Sequence, residues 1–284
     1  MDMISEINLE EMIRSQVAAT KSRYPCWPDP EMLCKELGIR VEYGKVGLGR
    51  EGAAFANAVL LDPTAGVPAR RRFTFYHEIV HHLLREYAIE LYSIINDQYK
   101  ADELLTKISE RLCNVGAAEF LLPRDRVRSL YSETGFSVTL IEILSNPRVV
   151  SRVAALAQLA FCAPHSCIGV VCRKNGETSV SSQLLQEFSM SIPREVVKID
   201  VAFPSRKMKY SCTPGTEVPR DHFLVHIFDV APGKRMQSRA SIPFKSGKIW
   251  KVDCEAVRLG EQVFAFFHVE APPISVCNQL YLPF

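Results

Sequence analysis

The sequence predicts an α+β fold of more than one domain, and three observations predict it. Apolar residues recur at helical spacing in segment after segment as far as Cys162. Beyond Pro164 the pattern changes to short runs of strand character separated by turn residues. Within the first of these regimes stands one strongly amphipathic helix, expected over residues 70–87. A chain of 284 residues also exceeds what one small core organises, so a domain boundary near residue 165 is expected.

Taken in order, residues 5–23 read as an amphipathic helix carrying Ile7, Met12, Ile13 and Val17. Pro28 and Pro30 interrupt it, and Asp29 or Pro30 opens a short helix through Leu37, stopped by Gly38. Val41-Glu42-Tyr43 and residues 57–62 read as strands, separated by a glycine-rich stretch from Gly44 to Gly52. The second strand, just before the amphipathic helix, is a candidate edge strand onto which an extended peptide could add. In the helix over 70–87, Phe73, Tyr76, Val80, Leu83, Leu84 and Tyr87 would form a buried stripe. A long helix over 101–121 follows, ended by Pro123, and further helical segments break at Gly135 and at Asn146-Pro147. In the last third, residues 168–172, 209–212, 223–228, 249–252 and 262–269 are expected to be strands.

Composition excludes several classes of function. With 34 basic and 32 acidic residues the net charge is +2, which offers no global attraction for nucleic acid or a membrane surface. The acid-bearing N-terminus lacks the basic and apolar regions of a secretory signal. Residues 153–172 contain no charged side chain, but Gln158 and Pro164-His165-Ser166 divide them into a buried helix and a core strand. The nine cysteines read as reduced thiols in a cytoplasmic protein. The even spacing of Cys162, Cys167 and Cys172 around His165 matches no common zinc pattern.

The chemistry is concentrated in His77-Glu78-Ile79-Val80-His81. Two imidazoles four residues apart on a helix project from one face and can hold one ion. An ion held there acidifies a water molecule, and Glu78 is placed to take its proton. From Phe73 to Leu84, Glu78 is the one acidic or basic residue apart from the histidines. A catalytic zinc takes three protein ligands, and the next helix offers Glu103, Glu110 and Glu119. Glu110 is the best placed, sharing a face with Asn114, Ala117, Ala118 and Leu121, where the alanines would admit a close neighbour. Glu103 suits the helix dipole instead, and Glu119 falls on another face that spacing alone does not exclude. Two imidazoles and a carboxylate suit zinc, though manganese or iron could use the same ligands.

Arg72 to Leu84, Glu110 to Ala118 and Leu121-Leu122-Pro123 resemble the ImmA/IrrE family of bacterial metallopeptidases. Residues 209–222 and 242–248 resemble its IrrE branch specifically, so the likeness covers most of the chain. This resemblance implies a zincin-like metallopeptidase domain over 1–125, a helix–turn–helix-like module over 126–164 and a GAF-like α/β domain over 165–284. It implies His77, His81 and Glu110 as ligands, Glu78 as general base and zinc as the metal. It also implies a helix–turn–helix transcriptional repressor as substrate, cleaved to release a DNA-damage and radiation-response regulon. The segment from Glu86 to Leu105 departs from the family pattern. Tyr99 within it could polarise the scissile carbonyl or be a plain packing tyrosine. His82 has no family counterpart and reads as a supporting or solvent-facing histidine.

Two features remain. A helix–turn–helix over Val138 to Leu159 would present Arg148 and Arg152 on a second helix otherwise rich in Val, Ala and Leu, so it reads as a packed element or a repressor dock rather than a DNA reader. Arg206, Lys207, Lys209, Lys245, Lys248 and Lys251 read as a solvated face of the last domain, whose GAF-like character leaves room for an unidentified small ligand.

Overall fold

The computed structural model describes residues 6–47, 50–87, 93, 102–176 and 195–269. It divides into two compact units, one of residues 1–124 with 145–154 and the other of residues 125–144 with 155–284.

The first unit contains four helices and a small sheet. Helix α1 (Glu6–Arg23) buries Leu9, Ile13 and Val17 completely. Helix α2 (Pro30–Glu36) starts where Asp29 accepts from the backbone N–H groups of Glu31 and Met32, with Pro30 in its first turn, as the sequence leads one to expect. Strands β1 (Arg40–Tyr43), β2 (Gly52–Ala54) and β3 (Ala58–Leu61) lie in the order β1-β3-β2. β3 runs parallel to β1 and antiparallel to β2. It is therefore the central strand, and the candidate edge strand of the sequence reading is corrected to β2, which lay unread in the glycine-rich connection.

Helix α3 (Pro68–His82) follows, continued by a wider π turn over Leu83–Tyr87. Tyr76, Val80, Leu83 and Leu84 are buried as the stripe requires, whereas Phe73 is half-buried and lines a cleft. Helix α4 (Asp102–Leu121) lies along α3. Their separation is set by Gly116, because a Cβ there would come within 2.8 Å of both methyls of Val80. Gly116, not Ala118, makes the close approach; Ala117 is buried beside it. Below the contact, Tyr76 stacks on Phe120 at 4.9 Å and donates its hydroxyl to the carbonyl of Trp27 at 2.6 Å. Helix α1 is fastened to α4 by charge: Arg14 meets Glu119 at 2.5 Å with both side chains buried, and Arg111 meets Glu10 at 2.7 Å.

The second unit contains α5 (Arg124–Thr134), α6 (Leu140–Leu144) and most of α7 (Arg152–Cys162), followed by a sheet. Strands β4 (Cys167–Gly176), β5 (Glu195–Pro204), β6 (Arg235–Ser241), β7 (Lys251–Leu259) and β8 (Gln262–His268) form it, all antiparallel, in the order β5-β4-β8-β7-β6. Residues 209–212 form a loop rather than a strand, and residues 223–228 form helix α8 (Phe223–His226) with a 3-10 turn over Ile227–Asp229. Leu224, Ile227 and Phe228 are its buried residues, a helical spacing that a short apolar run disguises as strand. Among the described residues no helix is long and apolar enough to cross a membrane.

Inside this unit Glu255 is 1% exposed. It meets Arg235 at 2.6 Å, accepts from Val138 N–H at 2.7 Å and from the Ser137 hydroxyl at 3.3 Å, and lies 3.6 Å from His268. Burial works to raise its pKa, but His268, Arg235 and the Val138 N–H together hold it below the usual range. The carboxylate thus stays charged and ties the turn before α6 to the sheet.

Replacing Gly116 by Val should force α4 away from α3 and lower stability by about 1–3 kcal/mol. Thermal unfolding of the metal-free protein would read this as a fall of roughly 2–9 °C, and an unchanged midpoint would refute the contact.

Candidate metal centre

Helix α3 carries His77, Glu78 and His81, and α4 brings Glu110, Cys113 and Asn114 to them. His77 Nε2 and His81 Nε2 stand 3.2 Å apart. Glu110 brings Oε2 to 3.1 Å from the first and Oε1 to 3.4 Å from the second. Donors held at 2.0–2.1 Å around one tetrahedral ion are separated by roughly 3.3–3.4 Å, so these three groups converge as ligands of one ion would. Asn114 Oδ1 lies 3.0 Å from His77 Nδ1. It can accept a hydrogen bond from Nδ1–H, the tautomer that directs the Nε2 lone pair at the shared point. Burial and the neighbouring His77 push the His81 pKa down to about 4, so its imidazole is neutral near pH 7.

A sixth group was not foreseen. Cys113, one turn beyond Glu110 and completely buried, brings its sulfur within 4.8 Å of ring nitrogens of His77 and His81. Burial, then Glu110, holds its thiol well above the usual range. The signal available in the sequence was its i+3 spacing from Glu110 on the same helix. Among the described residues this is the one further group with metal-ligand geometry, and Cys162, Cys167, Cys172 and His165 form none.

Glu78 is 7% exposed and lies against β2. A Cβ on Gly52 would stand 2.9 Å from its Oε1, and the nearby Ala54 backbone N–H works to lower its pKa. Burial and the Glu110 carboxylate raise its pKa to about 7, while Arg50 and Arg85 pull it down. The donor set is thus two imidazoles with two carboxyl groups, which a divalent cation satisfies.

The centre opens into a cleft of about 760 Å³ walled by Gly52, Ala53 and Ala54 on one side and by Thr106, Glu110 and Asn114 on another. A second hollow of about 490 Å³ lies around Pro30 and Arg72, but its acids are otherwise engaged: Asp29 caps α2, Glu31 accepts from Tyr43, and Asp62 accepts from Thr64.

The remaining candidates separate clearly. Glu119 is bound to Arg14 and accepts from the Arg124 backbone, so its role is structural. His82 is 1% exposed and donates Nε2–H to the carbonyl of Ala58 at 3.2 Å, joining α3 to β3. Tyr99 and the side chain of Glu103 lie outside the described residues.

With the geometry in place, comparison decides the family. Residues 34–146 match the IrrE N-terminal-like domain. The radiation response metalloprotease IrrE of Deinococcus radiodurans is 30% identical over 245 residues, covering 86% of this chain and 73% of that protein. The chain belongs to the IrrE family of metalloproteases. IrrE of Deinococcus deserti is likewise 30% identical, over 72% of this chain and 68% of its own length. A Mycobacterium tuberculosis transcriptional regulator of known structure shares the fold at 13% identity, with a TM-score of 0.54 over 92% of this chain and 76% of that one. An IrrE-family metalloprotease uses a metal ion, and the cluster above is where this chain offers ligands for it.

Two measurements follow from the centre. Equilibrium dialysis against zinc should give Glu110→Ala a loss of affinity exceeding 10-fold and Asn114→Ala a loss of about 10–100-fold, with Cys113→Ala close to the parent; the reverse order for Glu110 and Cys113 would make sulfur the third ligand. The second concerns pH in chelator. Glu78 has its folded pKa raised from 4.5 to about 7, so it favours folding in its protonated form and destabilises as pH rises through that window. His81, depressed from 6.5 to about 4, acts oppositely and stabilises as pH rises from 4 to 6.5. The difference between parent and Glu78→Gln isolates the first effect. The variant should gain up to about 3 kcal/mol on the parent between pH 4.5 and 7.

Proposed function

We propose that the chain is a site-specific zinc endopeptidase in which His77, His81 and Glu110 hold the metal and Glu78 is the general base. The observation that carries the reading is the convergence of two Nε2 atoms and the Glu110 carboxylate, with Glu78 beside them. A bound divalent ion would supply Lewis-acid polarisation of the scissile carbonyl and acidify a water molecule. Glu78 accepts the proton of that water and can pass it to the departing amine. Its burial against Gly52 and Ala54 keeps the carboxylate aimed and raises its basicity.

β2 supplies the natural docking edge. Glu51 and Phe55 make their ladder bonds to Asp62 and Ala58, so by alternation Gly52 and Ala54 turn their backbone groups away from β3. Gly52 and the Ala54 carbonyl can pair with an extended substrate segment lying across the cleft. Arg50 and Arg85 bring positive charge to the same cleft.

The substrate we propose is an exposed segment of a helix–turn–helix repressor, cut to release a DNA-damage response. Kinship with two proteins described as radiation response metalloproteases supports this. The helices over 126–164 read as a helix–turn–helix-like module, and the five-stranded antiparallel sheet of 165–284 supports a GAF-like domain able to take a small ligand. Proximity of Cys113 to both imidazoles favours one second reading, a regulatory protein whose metal is structural, held by His77, His81 and Cys113.

Incubation of the zinc-loaded chain with the repressor of the same organism should yield one cut, abolished by chelator. Glu78→Gln should retain zinc yet lose about 10²–10⁴-fold in rate. Undiminished cleavage by that variant would remove Glu78 from the mechanism, and an inert parent with full zinc would favour the structural-metal reading.

A further inference from the structure

The cleft over the metal centre carries a charge pattern that its ligands leave unexplained. Arg50, Arg70 and Arg85 line it together with Glu51, Glu78 and Glu110. Glu110 faces the two imidazoles, and Glu51 is held by Arg70 at 2.5 Å and accepts from Thr74 at 3.2 Å. Arg50 and Arg85 are exposed, and among the described residues no carboxylate forms an ion pair with either. Both act on the Glu78 carboxylate from a distance, and Arg85 acts on His81 as well. Because three arginines and three glutamates balance, a divalent ion on the ligands leaves the cleft with two positive charges in excess.

The two arginines stand toward opposite ends of the β2 edge. β2 and α3 run the same way: Glu51 meets Arg70 and Thr74, Gly52 abuts Thr74 and Glu78, and Ala54 comes to Glu78. Arg50, two residues before β2, therefore lies toward the start of α3, and Arg85 lies one turn beyond His81 in the π turn. From Thr74 to Arg85 the chain rises roughly 16 Å, a span that about five residues of extended peptide cover. The neighbouring cations have structural work: Arg71 donates to the Gly66 carbonyl and Arg72 to that of Pro28. Among the described residues Arg50 and Arg85 have no such side-chain bond.

We infer that the cleft selects a peptide segment with acidic residues on both sides of its bound centre, one carboxylate meeting Arg50 and another, about five residues away, meeting Arg85. The inference rests on the peptidase reading of the same cleft and names the class of segment it takes. Backbone pairing with β2 is indifferent to sequence, and Gly52, Ala53 and Ala54 offer no side chain that could read one. Charge at the two ends supplies what the strand lacks, because it fixes where along the edge a segment comes to rest. A lysine-rich segment is repelled at both ends, and an uncharged one has no preferred register.

The test measures binding apart from cleavage. Two labelled peptides share a neutral alanine and leucine centre of about five residues, one flanked by glutamates and the other by lysines. Fluorescence anisotropy with the zinc-loaded Glu78→Gln protein should favour the glutamate-flanked peptide roughly 10-fold or more, and about 0.5 M salt should shrink the preference. Adding Arg50→Gln or Arg85→Gln should weaken that binding roughly 3–5-fold each. Arg50→Glu with Arg85→Glu should invert the order in favour of the lysine-flanked peptide, which misfolding cannot imitate. Equal affinity for the two peptides, or an unchanged order in the charge-reversed protein, would overturn the inference. The zinc-loaded parent is then given both peptides. Charge-selective binding without cleavage would overturn the peptidase reading and uphold the acidic recognition, whereas cleavage of both peptides at equal rates would overturn the recognition alone.

Discussion

Everything in the first unit depends on how near α4 comes to α3. A 2.8 Å clearance between a virtual Gly116 Cβ and the Val80 methyls leaves room for no side chain at that point. Val80 lies between Glu78 and His81, so the contact is made inside the metal-binding sequence itself. Once the helices meet there, residues on α4 six, three and two positions earlier fall opposite α3. Those residues are Glu110, Cys113 and Asn114, and they reach both imidazoles. The buried Arg14–Glu119 pair fixes α4 from its other side. A charge left alone there would cost several kcal/mol, so α1 and α4 hold one another in register.

The same geometry places the three acids in different surroundings. Glu110 is half exposed and faces the imidazoles, whereas Glu119 is buried and neutralised by arginine. Glu78 differs from both: it is buried without a matched cation and feels a second carboxylate, so its proton is held to about pH 7. One helix pair thus carries three acids in three settings, which the proposed function reads as a donor, a structural anchor and a base, and environment rather than residue type distinguishes them.

How far the sequence was legible varies with how local the cause is. The HExxH spacing, the capping by Asp29 and the apolar stripe of α3 are local, and each could be read directly. Glu110 was reachable because a helix face has fixed periodicity. β2 was not: Gly52-Ala53-Ala54 has no β-branched or aromatic residue, and its strand conformation comes from pairing with β3. β6 carries mostly exposed polar side chains, so no alternation announced it. β5, by contrast, alternates Val197, Ile199 and Val201 and carries a local strand signal. The place of Cys113 depends on tertiary approach, which spacing in one chain segment does not encode.

The position of Glu78 has a further consequence. Its carboxylate lies against β2, near the Ala54 N–H and the missing side chain of Gly52. The strand against which Glu78 packs is also the strand whose outward backbone, in the proposed function, pairs with an extended peptide. A segment added to β2 would therefore stiffen the wall against which the base is packed and exclude water from the cleft as it does so. Docking and alignment of the base are then one event rather than two. An unstructured segment could meet that edge, whereas a folded helix would first have to unwind. Under the proposed function, selectivity for one exposed stretch of a folded partner would rest on the backbone of three small residues, with little asked of their side chains.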